Sequence, residues 1–373
     1  MKKQFLILCA LAAMLLPGIT KAQSTDDLLN LLINKNLIGQ EEADSIRAEY
    51  AIKQQDTKEK QKLFGINSRR ILQISGYTQV RFQSFQEAGK VDYVDIRRAR
   101  LDFRGQISPT WDYRLQLDFA TAPKILDAII TFKPYDCLKV QAGQFKLPFS
   151  QDNLAQSNLL EFIDRSQVTE ALVARNKDLL GNNNGRDMGL QVFGSVLKIK
   201  ERFAVDYFIG AFNGQGINTP DFNEAKDIVG RLIFHPIDGL DIGGSTYIGY
   251  DKFGLPEPKN QVRNRYGGEL VYTWKNLIIR GEYIEGQDGA IKKNGYFAQA
   301  TYFLFPKKLQ ILAKYDTYDP DKIKDKNIST YYVGGLNYYF NDWAKLMFNY
   351  SYRTEQGTKI NNDLISVQAQ IGF

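Results

Sequence analysis

Arginine recurs at every second residue in Arg98-Ala99-Arg100 and again at Arg104, and Arg114 follows in the next run of the same kind. Arg81 precedes them in a similar setting, and Arg231, Arg280 and Arg353 occupy comparable places later. A guanidinium stays charged and its planar fork matches an oxyanion, so a file of them on one surface suits the gripping or passage of anions. The same spacing brings Lys139, Lys314 and Lys345 to that surface, and with them the acids Asp102, Asp118, Glu269, Glu282 and Asp316. Two readings follow. The bases attract small anions, or they pair with these acids and hold a wall together. The excess of base is greatest in the first three runs, where five arginines face two aspartates.

Other chemistries have little to work with. The single histidine, His235, precedes Pro236 and reads as a turn residue, not a general base. The two cysteines and this histidine have no metal-ligand spacing. Gly181-Asn182-Asn183-Asn184-Gly185 reads as loop punctuation, not a phosphate cradle. No enzyme and no cofactor is therefore expected. A histidine-dependent membrane-barrel hydrolase and an adhesive barrel without a pore are the alternatives of other classes.

Every-second-residue spacing needs extended strands, and period two begins at Ile71. Ile74, Val80 and Phe82 share one face of the first strand, against Gln73, Ser75, Gln79, Arg81 and Gln83. Tyr113, Leu115, Leu117 and Phe119 oppose Arg114, Gln116 and Asp118, and the last strand sets Ile365, Val367, Ala369, Ile371 and Phe373 against Ser366, Gln368 and Gln370. About sixteen such segments of roughly ten residues reach to the C-terminus, which predicts an all-β, antiparallel transmembrane barrel over residues 71–373. A basic side chain on a lipid face costs about 2–4 kcal/mol at mid-bilayer, so the charged faces must line the lumen. Tight connections (Ser108–Thr110, Lys133–Asp136, Lys198–Glu201, His235–Gly239, Lys275-Asn276, Pro306-Lys307, Asn341-Asp342) alternate with mostly long ones: Phe85–Asp92, Gly143–Asp187, Gly214–Lys226, Asp251–Gln261, Gly286–Lys292, Tyr318–Asn327 and Glu355–Asn362. That sorting is the habit of outer-membrane barrels, whose short turns face the periplasm. Trp111, Trp274 and Trp343, with Phe132, Phe234, Phe305 and Phe340, fall beside the tight turns, as an interfacial girdle requires.

Residues 1–22 read as a signal peptide: Lys2 and Lys3, an apolar stretch from Phe5 to Leu16, and Thr20-Lys21-Ala22 before the cleavage point. Cys9 goes with it, leaving Cys137 alone and no internal disulfide. Cleavage removes three lysines from a chain of formal charge +6, too mild a balance for nucleic acid. Mean hydropathy is −0.35 and no later stretch holds 18 consecutive apolar residues, so helical spanning is excluded. Residues 23–70 read as a periplasmic helical extension. Leu28, Leu29, Leu32 and Ile33 form its first stripe, Gly39 a break, and residues 41–61 a charged second helix; a poorly ordered tail is the alternative.

The connection from Gly143 to Asp187 far exceeds the ordinary length of roughly 4–6 residues. It is expected to fold into the barrel mouth as the third long-side loop, over 146–186, with Lys146, Arg165 and Arg175 facing the pore and Phe145, Leu159, Leu160 and Phe162 holding it to the wall. Ile96-Arg97-Arg98-Ala99-Arg100-Leu101, Leu115–Ala120, Gly143–Phe149, Phe162–Ser166 and Arg186–Leu190 resemble the phosphate-selective porin O and P family. The resemblance is clearest over residues 71–195. It implies a sixteen-stranded porin of a Gram-negative outer membrane, usually trimeric, with the third loop as its constriction. Phe373, ending the last alternating strand, resembles the terminal aromatic by which the barrel-assembly machinery reads outer-membrane proteins, and the expected partners are that machinery, outer-membrane lipid and small anions such as phosphate. Family members carry a dense arginine ladder, whereas the later strands here offer only scattered bases. A general diffusion pore for uncharged nutrients is therefore the alternative within the class. Deleting residues Ser157–Leu179 should raise single-channel conductance and weaken ion selectivity in planar-bilayer recording; unchanged values would remove the loop from the constriction.

Overall fold

The computed structural model describes residues 71–199, 201–221, 223–253, 259–357 and 360–373, with nine positions between 29 and 46. The expected signal peptide lies outside the described residues, as does most of the helical extension. Within that extension Leu29, Leu32, Ile33, Glu42, Ala43 and Ile46 are helical, and Leu29 and Ala43 are buried.

Sixteen strands then close on themselves. They are β1 (Ile71–Phe85), β2 (Tyr93–Ser108), β3 (Trp111–Asp118), β4 (Lys124–Tyr135), β5 (Leu138–Lys146), β6 (Arg186–Ile199), β7 (Arg202–Phe212) and β8 (Asp227–Ile237). They continue as β9 (Leu240–Phe253), β10 (Lys259–Trp274), β11 (Leu277–Asp288), β12 (Ile291–Phe305), β13 (Leu309–Asp319), β14 (Ser329–Tyr339), β15 (Ala344–Glu355) and β16 (Leu364–Gly372). Each pairs antiparallel with its neighbours, and β1 meets β16 from Tyr77↔Gly372 to Phe85↔Leu364. Closure leaves no unpaired edge, the condition for a sheet to exist in lipid. The seam is completed by Gly76 and Phe373, whose backbones bond each other at 3.1 and 2.9 Å.

Side chains alternate as the sequence requires. On β13, Gln310, Leu312, Lys314 and Asp316 are buried inward while Ile311 and Ala313 face out. Tyr250, Tyr266, Tyr283, Tyr296, Tyr332 and Tyr352 are exposed on the outer face near the loop end, and Trp111, Trp274, Trp343, Phe234, Phe305 and Phe340 near the turn end. These are the two interfacial girdles.

Three expectations need correction. Gly286–Lys292 is not a long loop: β11 and β12 stay paired to Asp288↔Ile291, leaving Gly289-Ala290 as the turn. His235 and Pro236 belong to β8, whose turn is Asp238-Gly239, and Pro134 belongs to β4. Both prolines sit where the register slips, between Phe132 and Tyr135 and between Phe234 and Ile237. A residue without an N–H is tolerated there because the ladder is already interrupted. The parity of β2 also inverts at a bulge: Gln79 faces Arg98 but Val80 faces Ile96, and Arg97 is the extra residue.

The outer face of β12 supplies a test of the lipid boundary. Ala298→Arg, mid-strand and outward, should destabilise the barrel by about 2–4 kcal/mol, while Gln299→Arg, one residue on and inward, should cost far less. Urea unfolding of the refolded barrel in lipid measures both.

Candidate functional site

The lumen is shaped by the third loop, residues 147–185 between β5 and β6. Its ends are drawn together where the Leu147 N–H donates to the Gly185 carbonyl at 3.0 Å. Gly185 has φ +69 and lies so close to Asn153 that a Cβ would overlap the amide, so only glycine fits. Ser150 caps a single turn, α1 (Gln151–Leu154), and Ser166 caps α2 (Gln167–Leu172). Lys146 Nζ donates to the carbonyls of Asn153, Leu154 and Ala155 at 2.8–3.1 Å, satisfying the C-terminal end of α1.

From there the loop is fastened around one side of the barrel. The Ser150 hydroxyl donates to Glu282 (3.0 Å) and the Gln151 N–H to Glu269 (3.1 Å), on β11 and β10. Gln79 on β1 donates to the Ser157 carbonyl (3.2 Å) and Gln370 on β16 to that of Asn158 (3.1 Å). Lys345 and Asn337 donate to the carbonyls of Leu160 and Glu161 at 2.9 and 2.8 Å. Both Asp316 oxygens accept from the Gln167 N–H, Arg265 donates to the Leu172 carbonyl (3.0 Å), and Arg263 pairs with Asp178 (3.0 Å). An apolar core fills the space behind: Phe145, Phe149, Val168 and Leu172 pack against Phe212, Val229, Tyr247, Ile284 and Phe297, which project inward from β7–β12.

Two chambers remain: the loop-end one runs along β13–β16 and β1–β4, the turn-end one along β1–β6. The loop-end chamber holds about 740 Å³ and is lined by eleven basic and six acidic residues. The turn-end chamber holds about 370 Å³, with five bases against two acids. Both are net positive.

Arg81 is held by Asp95 (2.7 Å) and lies 3.5 Å from Asp164. Arg100 pairs with Asp118 at 2.8 Å. Arg104 and Arg114 share Asp102 at 2.9 and 2.7 Å, and Arg114 also reaches Asp127 at 2.9 Å. Arg231 pairs with Glu269, and Arg280 with Glu161 at 3.1 Å. Arg98 donates to Gln79 (2.6 Å), Lys314 to the Asp164 carbonyl (3.0 Å), and Arg353 lies over the Tyr331 ring. Among the described residues, Arg98, Lys314 and Arg353 have no carboxylate within 4.0 Å.

The loop bases border the chambers, Lys146 the turn-end one and Arg165 and Arg175 the loop-end one, and both arginines are buried. Arg165 is fully buried between Asp152 (3.3 Å) and the Ala155 carbonyl (2.8 Å). Burial disfavours the charge on Asp152, but Arg165, Lys314 and the Ser166 N–H hold its carboxyl below the ordinary carboxylate range. Arg175 bonds Asn153 and the Asn184 carbonyl, both at 3.1 Å. Of the expected apolar holds, Phe145, Leu160 and Phe162 are buried, whereas Leu159 is 65% exposed and holds nothing.

Four arginines are among the inward bases that sequence reasoning passed over. Arg97 turns in at the bulge and pairs with Asp164 at 2.6 Å. Arg186, Arg263 and Arg265 are each 1–2% exposed, bound to Asp127, Asp178 and Asp288. Alternation places Arg263 and Arg265 on the Glu269 face of β10, which was the available signal. His235 lies between Asp241 (2.6 Å) and Asp206 (3.2 Å) at the turn end of the lumen wall. Among the described residues no group of three or more His, Cys, Asp or Glu is arranged to hold a metal ion.

A closed barrel of this width, with charged inner walls narrowed by its own loop, is a porin channel of the outer membrane. The family model for phosphate-selective porin O and P matches residues 72–238 and 254–373, and the chain belongs to that family. Among solved structures, the anion-selective porin from Comamonas acidovorans is similar at TM-score 0.62 and 13% identity, covering 82% of this chain and 100% of that one. The in-vitro folded, trimeric form of OmpT from Vibrio cholerae gives 0.59 and 12%, with 82% and 100% covered. OprB of Pseudomonas putida gives 0.59 and 11%, with 82% and 94% covered. At such identities the likeness establishes the fold. Comparison with curated protein sequences returned no match.

The buried charges around the loop exit make a sharp prediction. Asp127→Ala strips the buried Arg186 of its carboxylate, while Arg114 keeps Asp102, which should cost about 3–5 kcal/mol. A lowered urea midpoint in lipid, without loss of the heat-modifiable gel shift of the folded fraction, is the expected result.

Proposed function

We propose that the protein is a passive outer-membrane porin preferring small anions, with phosphate and related oxyanions as its substrate class. The observation that carries this reading is the net positive lining of both chambers, with Arg98, Lys314 and Arg353 left unmatched beside the passage. Charges along a narrow low-dielectric passage focus their field on it, raising the local concentration of counter-ions. The acids there do not cancel this, since Asp95, Asp102, Asp118 and Asp164 are already engaged by arginines. On this reading the bases divide the work: Arg104 and Arg114 bind the wall through Asp102, while Arg98 and Arg353 serve the solute. The C. acidovorans porin, described as anion-selective, supports the same reading.

We further read the functional unit as a homotrimer, exported through residues 1–22. The outward-facing loop-side tyrosines lie on β9–β15, Tyr93 of β2 being turned to the lumen, whereas β1, β2 and β4 present Phe82, Ile96 and Ile125 at the matching level. A wall without a tyrosine girdle fits contact with a second copy better than contact with headgroups. The trimer reported for V. cholerae OmpT is consistent with that assembly.

Planar-bilayer recording across a KCl gradient tests the reading. The reversal potential should favour chloride, phosphate at millimolar concentration or lower should block the chloride current, and Arg353→Glu should cut the anion-to-cation permeability ratio by about threefold or more. A cation-favouring wild type would reject the proposal.

A further inference from the structure

Arg100 is the only described residue that lines both chambers. Its side chain is 4% exposed, so it stands between the two with almost no access to water. On the wall side Nε donates to Asp118 Oδ2 (2.8 Å) and Nη1 to the Tyr77 hydroxyl (3.1 Å). On the loop side Nη1 donates to Ser157 Oγ (3.2 Å) and Nη2 to Asn184 Oδ1 (3.4 Å). Ser157 lies on the outgoing limb of the third loop and Asn184 at its return, so one guanidinium spans from the barrel wall to both limbs of the constriction.

We propose that Arg100 is an exchangeable bar that both shuts the pore and selects what opens it, an inference that rests on the anion reading above. The two sets of bonds differ in kind. Asp118 is a charged acceptor at short range, whereas the Ser157 and Asn184 acceptors are neutral and at the long end of hydrogen-bond distance. An oxyanion entering from either chamber offers charged oxygens in place of these two, and the guanidinium can release the loop while keeping its hold on Asp118. The anion then lies where the loop acceptors were, with Arg98 on one side and Arg104 and Arg114 on the other as the next donors. A cation offers no acceptor to the guanidinium, and a neutral hydroxyl offers one no better than Ser157. Passage is thus a substitution at Arg100, and this residue determines specificity by what it will accept in exchange.

Full-length protein refolded in lipid and checked by heat-modifiable mobility provides the test, with Cl⁻/K⁺ reversal potentials and single-channel conductances recorded together. Arg100→Ala removes the bar and a base at once: conductance should rise by about twofold or more while anion preference falls. Arg104→Ala, a base that lines only the turn-end chamber, should weaken anion preference without that rise. The double variant Ser157→Ala/Asn184→Gly keeps Arg100 and the left-handed backbone at Asn184 (φ +53) but removes both loop acceptors. It should raise conductance and keep anion preference, and it decides the matter should Arg100→Ala fail to fold. An anion-preferring wild type whose Arg100→Ala and double variants conduct no more than it does would overturn the bar alone. A cation-preferring wild type would overturn the anion reading, and the exchange with it.

Discussion

A loop of 39 residues placed inside a water-filled barrel stays there only if it buries apolar surface and finds partners for its backbone groups. Here the inner wall supplies both. Phe212, Val229, Tyr247, Ile284 and Phe297 occupy inward positions on β7–β12 that a simple aqueous channel would give to polar residues, and the loop lays Phe149, Val168 and Leu172 on them. Each such side chain removed from water is worth roughly 1.5–3 kcal/mol, more than the loop's scattered polar contacts gain singly. The apolar seat thereby decides where the hole is. With the β7–β12 side of the lumen filled, the space left lies along β13–β16 and β1–β6, and it includes β1–β3, where the arginines are densest.

The same docking sorts the charges. Glu269 and Glu282 face the lumen from the far wall and would oppose anion entry if open to the passage. The loop covers them: Glu282 accepts from Ser150 and the Asp152 N–H, and Glu269 from Arg231 and the Gln151 N–H. Carboxylates that would have weakened the positive field instead hold the loop's first turn in place. Buried ion pairs contribute little net stability after desolvation, but each is costly to break from one side, so they fix geometry more than they add strength. On the proposed anion reading, selectivity and constriction share one cause.

Much of this architecture was readable in advance because the bilayer imposes a strict code. Period-two alternation, about sixteen segments of spanning length and sorted connections leave few alternatives, and the strands fall close to where that pattern puts them. The inward arginines of β2 and β3 were legible for the same reason. Legibility failed where the ladder is irregular. Pro134 and Pro236 looked like turn residues because proline cannot donate to a ladder, yet both occupy register slips inside strands. The loop's interior was less accessible still. Nothing local separates Leu159, which is exposed, from Leu160, which is buried, because the difference is set by strands more than 170 residues away, at Asn337 and Lys345. The inward apolar residues of β7–β12 were the overlooked clue, since on a lumen face they announce that something must cover them.

The bulge in β2 shows why such irregularity is worth its cost in ladder bonds. In an unbroken strand, inward residues are two positions apart, about 6.6–7 Å along the wall. At the slip beside Gln79, Arg97 and Arg98 both turn inward although they are adjacent. Arg97 binds Asp164 of the third loop at 2.6 Å, while Arg98 donates to the neutral Gln79 and keeps its charge free of any carboxylate. Gln79 in turn donates to the Ser157 carbonyl, so the residue that orients the free arginine also fastens the loop. Strict alternation would offer one guanidinium at this level, which could either hold the loop or face the solute. Adjacent inward arginines let the wall do both at one height of the loop-end chamber.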